Sequence, residues 1–157
     1  MQPGFRQHPS PPLPAQADDP QAAFHGAKLA LFLGRRIVVI RRDNRPGLSH
    51  AGALDLPGGG REGCESPTAC VLRETREELR LTLPRAALLW GRCFAGADGR
   101  QAWLFAARLP ARLARDIRLG REGQGWRLMM PVAYLTHPRA IAHFRPRLRA
   151  CLTAIAP

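Results

Sequence analysis

The sequence has no long apolar run, no paired-cysteine motif and no internal repeat. No stretch approaches the roughly 18 consecutive apolar residues of a membrane-spanning helix, and the N-terminus lacks the apolar core of a signal peptide. We therefore expect a cytoplasmic protein with no membrane association. The four cysteines form no Cys-x-x-Cys pair, which argues against a zinc knuckle or a disulfide framework and predicts reduced thiols.

Lysine is almost absent as well, yet the chain is strongly basic. Lys28 is the only lysine among 24 basic residues, and the formal net charge is +12. Such an excess fits a nucleic acid, a membrane surface or a phosphorylated substrate as partner. The arginines are scattered along the chain, however, and a general bias towards arginine explains them equally well. We favour a solvated arginine-rich surface.

The composition predicts one folded domain behind a tail. Hydrophobic residues make up 45% and charged residues 23% of the 157 residues, as in soluble globular proteins. Residues 1–22 hold six of the 15 prolines and almost no apolar periodicity. We predict a disordered Pro-rich tail over 1–22 and a single domain over 23–157.

Apolar patterns within the domain predict six strands and two helices. The predicted strands cover residues 27–33, 36–42, 53–56, 86–94, 101–109 and 126–130, and the helices cover 67–79 and 142–155. Ser66 is placed to cap the first helix, with Pro67 at its first position. The element order βββαβββα predicts an α/β fold in which helices cover both faces of a mixed sheet.

Three acidic residues on the first predicted helix point to a metal. Glu74, Glu77 and Glu78 have i, i+3 and i+4 spacing, so they share one helix face and repel each other unless a cation lies between them. With the carbonyl of Gly58 they offer hard oxygen ligands suited to Mg²⁺ or Mn²⁺. A solvated helix face held by charge pairs is the alternative, and the Pro57–Gly60 turn at this spacing argues against it.

The whole segment resembles the Nudix box, G-x5-E-x7-R-E-U-x-E-E-x-G-U, in which U is a bulky apolar residue. The matching charged and glycine positions are Gly59, Glu65, Arg73, Glu74, Glu77 and Glu78. A chance match at these six positions is on the order of 10⁻⁷ for each starting position. Thr75 and Arg80 depart from the pattern, which favours an aliphatic residue and a glycine there. If the helix ends with positive φ, arginine costs on the order of 1 kcal/mol more than glycine.

The resemblance implies a Nudix-type α/β/α sandwich and a metal-dependent hydrolase. It implies that Glu74, Glu77 and Glu78, together with the Gly58 carbonyl, bind metal ions that activate a water and neutralise a diphosphate. The same three glutamates would be catalytic, with Arg73 orienting them and Gly59 beside the substrate. Glu65 would bind either the loop backbone or a metal, and we favour the first.

Resemblance outside the box is weaker. Arg41 and Arg42 precede a polar loop, as in MutT-type members, and would bind a phosphate or a base unless they are ordinary strand-end charges. Residues 120–124 resemble a loop where several members place an extra glutamate. Glu122 is therefore a candidate general base or additional metal ligand, and a solvated loop glutamate is an equal alternative.

The box predicts cleavage of a nucleoside diphosphate linked to a group X, and leaves X open. Members that remove oxidised purine nucleotides use an asparagine near the last helix, but Asn44 is the only asparagine here. Many ADP-ribose hydrolases carry a proline where this chain has Gly96. By elimination we expect a nucleoside triphosphate or a dinucleotide polyphosphate.

Two other functions remain open beside a small-molecule pyrophosphohydrolase. One is an enzyme acting on the 5′ end of RNA, with Trp103, Trp126 or Phe94 as stacking surfaces, although their strand-like positions favour core packing. The other is a non-catalytic module that senses a nucleotide. Many relatives are dimers, so a homodimer is possible.

Overall fold

A computed structural model describes residues 12–156, and within that range one mixed sheet carries helices on both faces. The strands are β1 (Gly26–Leu33), β2 (Arg36–Arg41), β3 (Leu54–Asp55), β4 (Gly58–Gly60), β5 (Leu88–Ala95), β6 (Gln101–Leu109) and β7 (Gly125–Met129). The α-helices are α1 (Pro67–Leu79), α2 (Pro131–Thr136) and α3 (Phe144–Ile155). None of the helices in this range is long and apolar enough to cross a membrane.

The sheet is built around β1. This strand pairs in parallel with β6 over its whole length and antiparallel with β2 at one end and β4 at the other. In turn β2 pairs with both β3 and β7. The pairing of β4 brings the glycine segment directly against β1, where a Cβ on Gly58 would lie 2.2 Å from the Ala27 carbonyl oxygen. Only glycine fits there, and its φ of +125° also requires glycine.

Alternate side chains of β2 pack in two hydrophobic cores, one on each face of the sheet. Val38 and Ile40 pack in the cluster that contains α1 residues, whereas Ile37 and Val39 pack in the cluster that contains α3 residues. Side chains of a strand point alternately to opposite faces, so this division follows from the backbone. It confirms the predicted α/β/α sandwich.

The predicted elements agree with the structure except where an element is short. Helix α1 has the predicted bounds, and the Ser66 hydroxyl accepts from the Ala69 N–H at 3.2 Å. Helix α3 begins at Phe144, two residues after the predicted start. Helix α2 and strand β4 were not predicted from the sequence, because with six and three residues they carry almost no periodic signal.

The end of the predicted tail lies against the domain. Residues 15–18 form a short 3-10 helix in which Ala17 is fully buried, and Asp18 accepts a hydrogen bond from Thr68 at the start of α1 at 2.8 Å. Arg85 forms an ion pair with the same carboxylate. For residues 1–11 the predicted tail lies outside the described residues. The boundary at residue 22 stays a prediction.

Candidate active site

Helix α1 forms one wall of an acidic cleft of about 410 Å³. The residues that line this cleft are Glu62, Glu74, Glu77, Glu78, Arg80, Arg121 and Glu122. The structure therefore brings the three helix glutamates of the predicted metal site together with Glu122, which is 44 residues further along the chain than Glu78.

Backbone hydrogen bonds attach the Glu122 loop to the end of α1. The N–H groups of Arg118 and Gly120 donate to the carbonyls of Leu79 and Glu78 at 3.0 and 2.8 Å. These carbonyls have no partner within the helix, so the loop caps it. A Cβ on Gly120 would lie 2.1 Å from the Glu77 carbonyl oxygen, so this close approach requires glycine.

Negative charge is crowded in the cleft. The Glu78 carboxylate accepts from the Gly58 N–H at 2.8 Å, yet burial raises its pKa to about 7, with Glu74 and Asp55 adding to the effect. Burial also raises the pKa of Glu74. The Glu74 carboxylate lies so close to the backbone that a Cβ on Gly59 would be 2.7 Å from it. A bound cation would relieve this crowding.

Arg73 connects the acidic groups. Its Nη1 donates to Glu74 Oε1 at 3.0 Å and to Glu77 Oε2 at 2.9 Å, and its Nη2 donates to the Gly60 carbonyl at 2.8 Å. The same guanidinium binds Glu65 through Nε and Nη2 and holds the pKa of Glu65 below its usual range. Because Glu65 also accepts from the Glu62 N–H at 2.8 Å, its contacts are those of a residue that holds the loop.

Lys28 is a site residue that the sequence analysis missed. Its Nζ donates to Asp55 Oδ2 at 2.9 Å and to the carbonyls of Leu56 and Gly58 at 3.2 and 2.8 Å. The available signal was the chain's only lysine in a strand whose other residues are glycine, alanine, leucine and phenylalanine. The predicted metal-binding carbonyl of Gly58 thus accepts from Lys28, and one of its two lone pairs remains.

The donor chemistry of the cleft fits a hard divalent cation, because it consists of carboxylate and carbonyl oxygens. Among residues 12–156, however, no three acidic, histidine or cysteine side chains already form a coordination site. Arg73 Nη1 binds both Glu74 and Glu77, and Lys28 binds Gly58. To surround a metal, Glu74 and Glu77 would have to move slightly away from Arg73, and the Lys28 side chain slightly away from the Gly58 carbonyl.

Comparison with known proteins identifies the family. The chain matches the family model of the NUDIX domain over residues 24–150, which is most of its length. The chain belongs to the Nudix family. It is a Nudix hydrolase, and the glutamates of its Nudix box line the acidic cleft.

Solved Nudix structures share the fold at low sequence identity. A MutT protein from Methanosarcina mazei Go1 is 20% identical with a TM-score of 0.63, and the match covers 82% of this chain and 92% of that one. A Nudix hydrolase from M. smegmatis is 22% identical with a TM-score of 0.64 and coverages of 86% and 89%. A C. elegans Ap4A hydrolase is 19% identical with a TM-score of 0.60 and coverages of 82% and 96%. No curated protein matches the chain.

The two departures from the Nudix box are accommodated locally. Arg80 ends α1 in the left-handed region with φ of +56°, as a glycine would, and its N–H donates to the Arg76 carbonyl at 3.0 Å. Thr75 is fully buried, and its hydroxyl donates to the Val71 carbonyl at 2.7 Å, so the polar group is satisfied within the helix.

Arg41 and Arg42, the two arginines predicted to bind substrate, are not among the residues that line the acidic cleft. Arg42 donates to Asp55 at 3.1 Å and to the Ser49 carbonyl at 3.0 Å, and so holds the loop between β2 and β3. Arg41 is exposed and lines a different cavity. The arginines at the acidic cleft are instead Arg80 and Arg121. Trp103 is buried and stacks on Phe105 with 5.4 Å between ring centroids, so it belongs to the core.

Proposed function

We propose that this Nudix hydrolase is a pyrophosphohydrolase that depends on Mg²⁺ or Mn²⁺ and cleaves a nucleoside diphosphate linked to a group X. Nucleoside triphosphates and dinucleotide polyphosphates are the proposed substrates. The observation that best supports this proposal is the acidic cleft, in which three glutamates of α1 and the loop glutamate Glu122 face one space. Hydrolysis of a diphosphate needs hard oxygen ligands and a proton acceptor, and this cleft offers both.

The proposed metal ligands are Glu74, Glu77, Glu78 and the Gly58 carbonyl. When bound, the metal would polarise the phosphoryl oxygens and make a water more acidic. Glu78 is already fixed by the Gly58 N–H, so it links the glycine segment to the helix. Arg73 orients Glu74 and Glu77 through its bonds to both. The role of Arg73 is positioning.

Glu122 is the proposed general base. Its side chain is exposed on the loop that caps α1, and it faces the same cleft as the helix glutamates. Glu74 and Glu77 are engaged by Arg73 and are proposed to bind the metal, so the role of proton acceptor is assigned to Glu122. Arg80 and Arg121 complete the cleft and offer guanidinium groups to the diphosphate.

The test is release of phosphate or pyrophosphate from nucleotides. The panel contains nucleoside triphosphates, dinucleotide polyphosphates, ADP-ribose and 5′-triphosphorylated RNA, each with Mg²⁺ or Mn²⁺. We expect Glu77→Gln to lower kcat/KM by at least roughly 100-fold, because a ligand of the metal is lost. Asp116→Asn removes the same charge from an exposed position outside the cleft and should leave turnover unchanged.

Glu122→Gln separates the general base from the metal ligands. We expect its kcat to fall while Mg²⁺ still raises the Tm as in the wild type. Absence of turnover on every substrate with both metals would contradict the proposed function. It would favour the nucleotide-sensing alternative if the nucleotides nevertheless bind.

A further inference from the structure

A second cavity lies on the sheet face that α3 covers, between β2, β7 and the turn before α3. It has a volume of about 450 Å³ and is lined by Val39, Arg41, Leu54, Gln124, Gly125, Trp126, Arg127, His137 and Arg139. We call it the basic cavity. It shares no residue with the acidic cleft.

The charge of the basic cavity is not neutralised by the fold. Arg41, Arg127 and Arg139 are exposed, and within residues 12–156 no acidic side chain forms an ion pair with any of them. Three guanidinium groups around one concave surface repel each other unless an anion lies between them. The cavity therefore favours an anionic ligand.

Two hydrogen-bond donors meet inside the cavity. His137 Nδ1 accepts from the Arg139 N–H at 3.0 Å, so the proton of the neutral ring lies on Nε2. Nε2 is 3.4 Å from Arg127 Nη2, which is also a donor. Neither group can satisfy the other, and an oxyanion placed beside them would accept from both.

The turn that carries His137 and Arg139 is fixed before any ligand binds. Arg145 Nη2 donates to the His137 carbonyl at 2.7 Å, and the Ala140 N–H donates to the same carbonyl at 3.1 Å. The Leu54 N–H donates to the Arg139 carbonyl at 2.9 Å. These bonds join the turn to β3 and α3, so little ordering of its backbone remains to oppose binding.

The floor of the basic cavity is apolar. Val39 and Leu54 are buried members of the α3-side cluster, and Val39 pairs with Arg127 across β2 and β7. Directly opposite residues share a sheet face, so the Arg127 side chain is on the side of this floor. Trp126 pairs with Ile40 and packs against the α1-side cluster, so it offers no stacking surface here.

We propose that the basic cavity binds a phosphorylated small molecule. Arg127, His137 and Arg139 hold the phosphate, and the uncharged part of the ligand occupies the open space over Gly125, where a Cβ would meet no atom within 4 Å. The volume of about 450 Å³ exceeds what a bare phosphate needs and lies within the range of small-molecule sites. The proposal is independent of the acidic cleft, so it can fail or succeed separately from the proposed function.

Isothermal titration calorimetry with inorganic phosphate and with AMP tests the site. EDTA keeps divalent ions out, so the acidic cleft stays negatively charged and repels both probes. We expect Arg127→Gln/Arg139→Gln to weaken binding of both by at least roughly ten-fold, since charge-assisted hydrogen bonds are lost. Arg112→Gln/Arg115→Gln removes the same charge from exposed residues outside the cavity, and its affinities should match the wild type.

Three results would overturn the proposal. They are no binding of either probe to the wild type, equal weakening in both double variants, and AMP binding no tighter than inorganic phosphate. The second would show that net charge alone attracts anions, and the third that the part of the cavity beyond the phosphate position contributes nothing to binding. Thermal unfolding of both variants checks that they fold as the wild type does.

Discussion

The acidic cleft and the basic cavity treat charge in opposite ways. At the cleft, Arg73 forms ion pairs with four carboxylates, and Lys28 binds Asp55 together with two carbonyls. In the basic cavity the arginines have no acidic partner within residues 12–156. Paired charges of the first kind hold the fold together, whereas unpaired charges of the second kind are available to a ligand.

Loss of a charged side chain should affect stability differently in the two regions. Removing one member of a buried pair leaves its partner without a hydrogen bond in a place that water reaches poorly, which is costly. Removing an exposed charge that has no partner leaves nothing behind, and it also reduces repulsion in a chain of net charge +12. Substitutions in the two regions should therefore differ in their effect on the free energy of unfolding.

Lys28→Met should have the largest effect on stability. Asp55, whose side chain is only 5% exposed, would keep Arg42 as its one ion-pair partner within residues 12–156 and the Leu56 N–H as a neutral donor, and the carbonyls of Leu56 and Gly58 would lose a donor. We expect the free energy of unfolding to fall by about 2–3 kcal/mol, measured by urea denaturation.

Arg45→Met is the matched control for Lys28→Met. It breaks the ion pair with Asp43, in which the atoms are 3.7 Å apart and the arginine side chain is 68% exposed. An exposed pair of this kind contributes at most about 1 kcal/mol, and often nothing measurable. If the two variants lost equal stability, buried paired charges would not stabilise this protein more than exposed charges do.

The acidic cleft could largely be predicted because its pattern is local. The i, i+3 and i+4 spacing of the glutamates, the Ser66 cap and the glycine turn all lie between residues 57 and 79. Helical geometry converts such spacing into a shared face without any knowledge of the fold. Glu122 was predicted from family resemblance alone, and what places it at the cleft is a set of backbone bonds to the end of α1.

The rest depends on strand pairing, which no local pattern specifies. Lys28 reaches Gly58 because β4 pairs with β1, and Arg127 reaches the α3-side face because Val39 is its partner across β2 and β7. A strand alternation shows which residues share a face, but not which distant strand lies beside them. For the same reason the sequence did not separate Arg42, which binds Asp55, from Arg41, which lines the basic cavity.

Arg80→Gly should change the free energy of unfolding less than Lys28→Met does, and in the opposite direction. Arg80 lines the acidic cleft, but the backbone at this position has φ of +56°, which glycine adopts without strain. We expect the free energy of unfolding to rise by about 1 kcal/mol. Urea denaturation measures the change, and steady-state kinetics should show a higher KM because a guanidinium is lost from the cleft.

Arg80→Ala separates the two effects of that substitution. It removes the same guanidinium but keeps a Cβ in the left-handed region, so it should raise KM without the gain in stability. A gain as large as that of Arg80→Gly would mean that repulsion by the arginine, and not backbone strain, lowers stability at the end of α1.

Arg127→Gln should have the smallest effect on stability, and it tests the contrast between the acidic cleft and the basic cavity most directly. The side chain is exposed and its recorded partner is His137 Nε2, another donor, so the substitution removes no satisfied hydrogen bond. Without a ligand we expect the free energy of unfolding to stay within about 0.5 kcal/mol of the wild type. With AMP present the wild type should gain stability that the variant does not gain, because a ligand stabilises only the state that binds it. A loss of stability without ligand would instead place Arg127 among the charges that hold the fold together.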